Sequence, residues 1–422
     1  MKISLKRFFK KLGPGFITGA SDNDPAGIAT YTQAGAQFGY GQLWTALFIF
    51  PLMTAIQEAS ARIGAVTGKG LAWVIKEQYG KTVLYVSVMI VLIANTINIG
   101  ADLGAMAAAA RLIVPIPFAV LTLLFTAIIL ILEIMVSYKT YAKVLKWFAL
   151  ALLSYPLALF FVREPWGEIW KATFIPHIEF NFAFLFIIVG VLGTTISPYL
   201  FFWQASEEIE EEKVKHILRK DGHPNITWRF IQGLRFDNFI GMLFSQIGTW
   251  CIMIVGASVL NGNGITNVST AADAAQALQP LVQTFPYAGL LAKSMFALGV
   301  IGLGFLAVPV LSGSASYAVS ETLNWKEGLN LKLKRAHGFY GIITIATIVG
   351  LIINFIGINP MKALIYASVL NGIAAVPLIF IIGKIARDRR IMGEYRSKGL
   401  SHTLVWITFF VMAISALGMF ID

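Results

Sequence analysis

Apolar runs of roughly twenty residues or more recur along this chain, separated by short polar segments. They lie at approximately 14–38, 43–66, 82–110, 114–136, 141–162, 180–204, 232–260, 286–321, 338–357, 359–383 and 400–420. About 20 consecutive apolar residues carry a helix across a bilayer, so the spacing predicts eleven membrane-spanning helices, several long enough to tilt. Two runs are interrupted. Gly19-Ala20-Ser21-Asp22-Asn23-Asp24-Pro25-Ala26-Gly27-Ile28-Ala29-Thr30 breaks the first, and Gly190-Val191-Leu192-Gly193-Thr194-Thr195-Ile196-Ser197-Pro198-Tyr199 breaks the sixth. Proline lacks an N–H and drives the residue before it out of the helical region. Backbone groups freed at membrane depth are tolerated only where protein or a polar cavity satisfies them. An acidic side chain there costs about 2.5–3.5 kcal/mol. Asp24-Pro25 keeps both costs at one place, which points to a bound cation.

The first ten runs divide into two sets of five, which places the two interruptions in corresponding helices. An odd number of spans per set inverts the second copy in the membrane. Paired interruptions in corresponding spans mark the substrate site of an inverted-repeat transporter. The expected fold is therefore an all-α integral membrane domain over 1–422, with a 5+5 inverted repeat and broken helices 1 and 6. Repeat one covers about 14–162, repeat two about 180–383, and an eleventh transmembrane helix about 400–420.

Composition supports this class. Hydrophobic residues make up 57% of the chain and charged residues 13%, with a mean hydropathy of +0.72; a soluble domain carries roughly 25% charged residues. The net charge of +11 raises the question of nucleic acid, but its distribution answers it. Most Lys and Arg fall in the amino terminus and in the 67–82, 137–146, 205–235, 322–335 and 384–398 segments, against Arg111, Arg163 and Lys171 in the alternate ones. The positive-inside rule then puts the amino terminus in the cytoplasm of a multi-pass cell-membrane protein and the carboxyl terminus on the opposite side. The basic excess is topology, and no nucleic-acid surface is expected. The single Cys251 excludes an internal disulfide and a cysteine-built metal cage. The run Glu207-Glu208-Ile209-Glu210-Glu211-Glu212 reads as a solvated helical extension of the sixth span.

Among the intramembrane acids, Asp24 is the foremost ligand candidate because it directly precedes the break. Asp22, two residues earlier, either caps the first half-helix or lines an entry path. Asp102, in the third span, suits an ion path or a structural hydrogen bond equally. Glu58 and Glu133 lie near span ends, where Arg62 and Lys139 are the expected partners. No histidine lies near either break, and no His/Cys/Asp set has zinc spacing. Neither a nucleotide cradle nor a nucleophile elbow occurs, so no enzyme activity and no cofactor are expected.

At these two motifs the chain resembles the NRAMP family of divalent-metal transporters, which share the LeuT-type fold. The resemblance covers essentially the whole chain. It rests on Gly13-Pro14-Gly15-Phe16, Asp24-Pro25, Ile28-Ala29-Thr30, Gln33-Ala34-Gly35-Ala36, Arg62-Ile63-Gly64-Ala65-Val66-Thr67-Gly68 and Ala101-Asp102-Leu103-Gly104. It implies metal-binding roles for Asp24, the position of Gly27, the position of Ser197 and a carbonyl near Thr194, with Asp22, Asp102 and Tyr199 as possible ion-path residues.

The chain also departs from that family. The first-span signature Asp-Pro-Gly-Asn has Gly27 in place of asparagine. The sixth-span signature Met-Pro-His has Ser197 and Tyr199 in place of methionine and histidine. Ala105 stands where a glutamate is common. Losing the soft thioether removes a preference for manganese, iron or cadmium, and losing the asparagine implies a roomier site. Magnesium, which keeps its waters and needs only one or two carboxylates, suits such a site. The histidine and glutamate belong to the family's proton pathway. The pattern resembles the NRAMP-related magnesium transporters, a divergent branch. The expected cargo is thus Mg2+, with Mn2+ also carried, by alternating access without proton coupling. Open alternatives are a proton-coupled Mn2+/Fe2+ symporter, an organic-solute symporter of the same fold, and a receptor that binds a cation without moving it. Oligomeric state is not legible in the sequence.

Overall fold

The computed structural model describes residues 13–136, 152–160, 164–215, 217, 224–282 and 287–420. The described residues are overwhelmingly helical and contain no extended strand. Twelve principal helices carry the architecture: α1 Pro14–Ser21, α2 Pro25–Phe38, α3 Trp44–Thr67, α4 Leu71–Ala110, α5 Phe118–Met135, α6 Phe182–Thr195, α7 Pro198–Val214, α8 Trp228–Val255, α9 Ala288–Leu323, α10 His337–Ile353, α11 Pro360–Arg387 and α12 Gly399–Gly418. Four of them open on proline (Pro14, Pro25, Pro198 and Pro360), whose fixed φ suits a first helical turn and whose missing N–H costs nothing there.

Both interruptions are real breaks. Asp24, between α1 and α2, is extended at φ −64°, ψ 174°, and Ser197, before α7, lies at φ −82°, ψ 140°. Taking α6 and α7 as one segment, seven segments among the described residues are long and apolar enough to cross a membrane. The number is eight when Pro25–Gln42 and Trp44–Thr67, bent by 107°, count as one span. The figure falls below eleven for local reasons. The first run is split into two short halves, α10 has 17 residues, and much of the fifth run (141–162) lies outside the described residues. Gly80, at φ 79°, kinks α4, so its membrane arm begins where the third apolar run does.

The helices surround the breaks. α9 runs along α4, α6 packs on α11, α1 on α8, and α7 on α3. At three of these seams, α1 on α8, α6 on α11 and α7 on α3, the backbones touch. A Cβ on Gly19 would stand 2.2 Å from the Gly241 carbonyl oxygen, and one on Gly193 would stand 2.0 Å from that of Ser368. The half-helices α1 and α6 are thereby seated directly on α8 and α11, which fixes where each break falls.

The acidic run differs from expectation. It is helical, but Glu207, Glu208, Glu210 and Glu212 are buried, because the distal half of α7 continues between α1, α3 and α9. Gln204 donates to Glu208 (2.8 Å), and Lys213 (2.9 Å) and Asn330 (2.6 Å) donate to Glu210. Glu321 accepts the Trp73 N–H at the start of α4 (3.1 Å), serving as a helix cap supplied from α9. Glu58 pairs with Arg62 as expected (3.0 Å) and also with Arg235 (2.8 Å). Lys139, the expected partner of Glu133, lies outside the described residues; Glu133 accepts from the Ser312 hydroxyl (2.6 Å).

Candidate metal site

Asp24 reaches the centre of the molecule because proline at helix position one forces it into the N-cap conformation. Its Oδ1 accepts the Gly27 N–H at 2.7 Å, which satisfies one of the orphan donors of α2. Its Oδ2 accepts from Asn98 Nδ2 of α4 at 3.0 Å. The same amide nitrogen lies 3.5 Å from Asp102 Oδ2, one helical turn further along. Asn98 therefore bridges the two acids, and Asn371 of α11 donates to its carbonyl oxygen at 3.4 Å.

The second break closes on the first. The Thr194 side chain faces the same turn, its Oγ1 lying 3.1 Å from where a Cβ on Gly27 would stand. The Ser197 hydroxyl turns back on its own chain, donating to the carbonyls of Gly193 (2.5 Å) and Thr194 (2.8 Å). Its proton is committed there, so the oxygen can serve a ligand only as an acceptor. Tyr199 donates to the Ser21 carbonyl at the end of α1 (3.0 Å), tying the two broken spans together. Both α1 and α6 end at the breaks, so their negative dipole ends converge there.

Asp22 stands at the C-cap of α1, its N–H donating to the Thr18 carbonyl (3.1 Å). Its Oδ2 accepts from the Ser245 hydroxyl of α8, and Asn23 binds Ser245 and Thr249 of the same helix (2.9 and 3.4 Å). The side chains of residues 22 and 23 are thus anchored to α8. The expectation of a roomier site at Gly27 is corrected. A Cβ there would meet the Asp22 carbonyl oxygen at 3.1 Å, Thr194 Oγ1 at 3.1 Å and the Tyr31 ring at 3.2 Å. The removed side chain leaves no space because those three groups close on the Cα.

Asp22, Asp24, Asp102, Thr194, Ser197 and Tyr199 are each at most 2% exposed. Asp22 Oδ1, Asp102 Oδ1 and Asn371 Oδ1 are buried without a hydrogen-bond partner. Buried acceptors facing no donor are costly unless something positive completes them. Among the described residues no group of three or more His, Cys, Asp or Glu side chains could hold a metal, so a cation here would rely on one or two carboxylates, amide oxygens and carbonyls. Hard, oxygen-seeking ions suit that donor set. The sequence pointed to Asp24, Gly27, Thr194, Ser197 and Asp102, and the fold assembles them. It missed Asn98 and Asn371. Asn98 stands four residues before Asp102, on the same helix face, and was open to that inference; Asn371 enters from a distant helix.

Cavities flank this centre from opposite ends. One, of about 500 Å³, is lined by Gly13, Pro14, Glu208, Lys215, Arg229 and Asp237 among others. The other, of about 580 Å³, is lined by residues including Arg111, Ser269, Ala271, Asn359 and Met361. A small void of about 10 Å³, walled by Pro25, Ile28, Ala105, Phe296 and others, shares Ala271 and Met361 with that second cavity.

Known proteins share this fold. A family profile described as natural resistance-associated macrophage protein-like (Nramp) matches residues 15–422. The divalent metal cation transporter MntH of Caldanaerobacter subterraneus subsp. tengcongensis is 26% identical over 432 residues, spanning 99% of this chain and 94% of that protein. In fold, the chain is similar to a crystallised manganese transporter of Eremococcus coleocola, with a TM-score of 0.77 at 16% identity over 98% of this chain and 86% of that one. It is also similar to MhsT in complex with L-phenylalanine, with a TM-score of 0.61 at 13% identity over 96% and 97%. The fold is the LeuT-type inverted repeat, with helices 1 and 6 broken and an additional final helix.

Proposed function

Because this chain belongs to the Nramp family, we propose that it carries divalent metal cations across a membrane by alternating access, with the paired break as the binding site. Family membership makes it a multi-pass transporter and not an enzyme, and the metal is cargo rather than cofactor. One observation carries the site assignment. Asp24 sits at the break with its carboxylate held by Gly27 and Asn98, beside the orphaned acceptor of Asp102. Asp24 supplies the charge. Thr194, Ser197, Asn98 and Asn371 supply neutral oxygens, and Gly27 keeps the backbone close to the ion.

The finer reading is Mg2+ as preferred cargo, with Mn2+ also carried, and no coupled proton. It is supported by the absence of sulfur and imidazole at Ser197 and Tyr199 and by Ala105 in the third span. Mg2+ tolerates a site with few carboxylates because it retains water. Uncoupled entry follows the electrochemical gradient; two charges moving through 100 mV correspond to about 4.6 kcal/mol. The distribution of Lys and Arg supports a cytoplasmic amino terminus and a carboxyl terminus on the other side, with repeats over about 14–162 and 180–383.

Purified protein in liposomes loaded with a pH dye tests this. Mg2+ uptake without internal acidification is the expected result. Acidification that tracks Mn2+ uptake, with Mg2+ excluded, would instead establish proton-coupled manganese transport; manganese is the cargo named for the similar Eremococcus coleocola structure.

A further inference from the structure

Six Lys and Arg lie between positions 384 and 398, with Asp388 and Glu394 as the only acids among them. That excess fits the positive-inside pattern, but a charge that only sets topology needs no fixed position, and these groups have one. The Ser397 N–H donates to the Ala386 carbonyl (2.6 Å), Met392 is fully buried, and Tyr395 packs on Trp228 with ring centroids 4.8 Å apart. The corner between α11 and α12 also grips two other helices. The Ser397 hydroxyl accepts from Arg62 of α3. Ser401, in the first turn of α12, donates to Glu58 (3.3 Å), which itself pairs with Arg235 of α8.

Where α11 enters this corner, Lys384 and Arg387 stand one turn apart, and both are exposed. Arg387 Nη1 lies 2.9 Å from His402 Nε2 of α12, and Trp406 Nε1 lies 3.1 Å from the same nitrogen. Arginine can only donate, so the contact uses one N–H of its fork and leaves the others open. Among the described residues no carboxylate pairs with Lys384 or Arg387, and Asp388 is taken by Arg390 (2.8 Å). Lys384 Nζ sits 4.8 Å from the centre of the Phe380 ring. Phe380 in turn packs on Trp406 (5.6 Å) and Phe409 (5.5 Å). Further along α12, Ile407 and Phe410 are exposed. The seam thus presents two unneutralised cations at its end and an aromatic, apolar surface along its length.

That order of groups matches an amphiphile. Cations at the end of a span attract anionic headgroups, a guanidinium fork fits phosphate oxygens, and tryptophan suits the boundary between headgroup and chain. We propose that the seam of α11 and α12 binds an anionic phospholipid, with its phosphodiester on Lys384 and Arg387 and its chains along Phe380, Trp406 and Phe410. A lipid seated there braces the corner that holds α3 and α8. The inference stands apart from the cargo of the central site.

The test uses the full chain in detergent micelles, with the melting temperature read as phosphatidylglycerol is titrated in. Phosphatidylglycerol should raise it saturably. Phosphatidylcholine and inorganic phosphate should not, because the first lacks the net charge and the second the chains. One cation near a membrane surface strengthens the attraction about fivefold, so Lys384→Gln/Arg387→Gln should move the midpoint to about 25-fold higher lipid. Lys334→Gln/Arg335→Gln removes the same charge from another exposed segment and should leave the midpoint within about twofold. An equal shift in both double variants would mean diffuse attraction and overturn the site. A wild-type midpoint in Lys384→Gln/Arg387→Gln, or an equal rise with phosphate or phosphatidylcholine, overturns it as well. A photoactivatable phosphatidylglycerol on the wild type gives a reading that needs no variant to fold. Labelling should concentrate in residues 380–410; labelling spread over the other spans, or matched by a phosphatidylcholine analogue, also overturns the site.

Discussion

Replacing Asp24 by asparagine separates the charge of this residue from its shape. Asparagine is about as good an N-cap as aspartate, so the bond from Gly27 N–H at 2.7 Å survives the exchange. The bond from Asn98 Nδ2 at 3.0 Å does not, because one amide oxygen cannot take the place of both carboxylate oxygens. A buried donor left unmade costs about 1–3 kcal/mol, which sets the loss of fold stability. The loss of cation affinity should be larger. At an effective dielectric of about 20, a unit charge pair 4 Å apart interacts by about 4 kcal/mol, and a dication doubles that to about 8. If water retained by the ion screens two-thirds of this, about 2.7 kcal/mol remains, a weakening of about 100-fold. Calorimetric titration of Mg2+ and Mn2+ into purified Asp24→Asn, alongside a thermal melt, measures both terms. A dissociation constant within about fivefold of wild type in a normally melting variant would refute the charge role of Asp24.

Further expectations concern its surroundings. Gly27→Ala places a Cβ 3.1–3.2 Å from three neighbours; such overpacking costs about 1–3 kcal/mol. It should lower both melting temperature and cation affinity, and affinity equal to wild type would show that Gly27 does not close the site. Ser197→Met adds a soft ligand, so competitive uptake should shift toward Cd2+ and Mn2+ relative to Mg2+; an unchanged ratio counts against the donor-set argument. Outside the membrane, burial and the nearby Glu321 carboxylate push Glu327 up to about 9. Below its unfolded value both states are protonated and Glu327→Gln should change little. As pH rises toward 9 only the unfolded chain ionises, so the wild type loses up to about 1.4 kcal/mol per pH unit that the variant keeps. The melting advantage of Glu327→Gln should therefore grow between pH 5 and 8, and a pH-independent difference would contradict the burial of this acid.

The breaks were legible because proline acts on its own neighbourhood: Asp24-Pro25 and Ser197-Pro198 dictate extended residues whatever surrounds them. The pairing of spans one and six was legible from their positions in the count. Side-chain surroundings were not. Gly27 looks spacious in one dimension, and only the convergence of Asp22, Thr194 and Tyr31 from separate turns fills it. Glu207 to Glu212 look solvated because nothing local says that α7 continues between α1, α3 and α9. Asn371 carries no motif, and its link to Asn98 exists only across α11 and α4. Local backbone chemistry reads from sequence, whereas convergence of distant elements does not.

The central claim is that the cation sits between the two breaks, on Asp24. Anomalous scattering from crystals soaked in Mn2+ tests it most directly. The account predicts a peak bounded by Asp24, Asn98 and the Thr194–Ser197 turn, displaced by added Mg2+ and absent in Asp24→Asn. A peak elsewhere in the molecule, or one at the break that persists in Asp24→Asn, would contradict it.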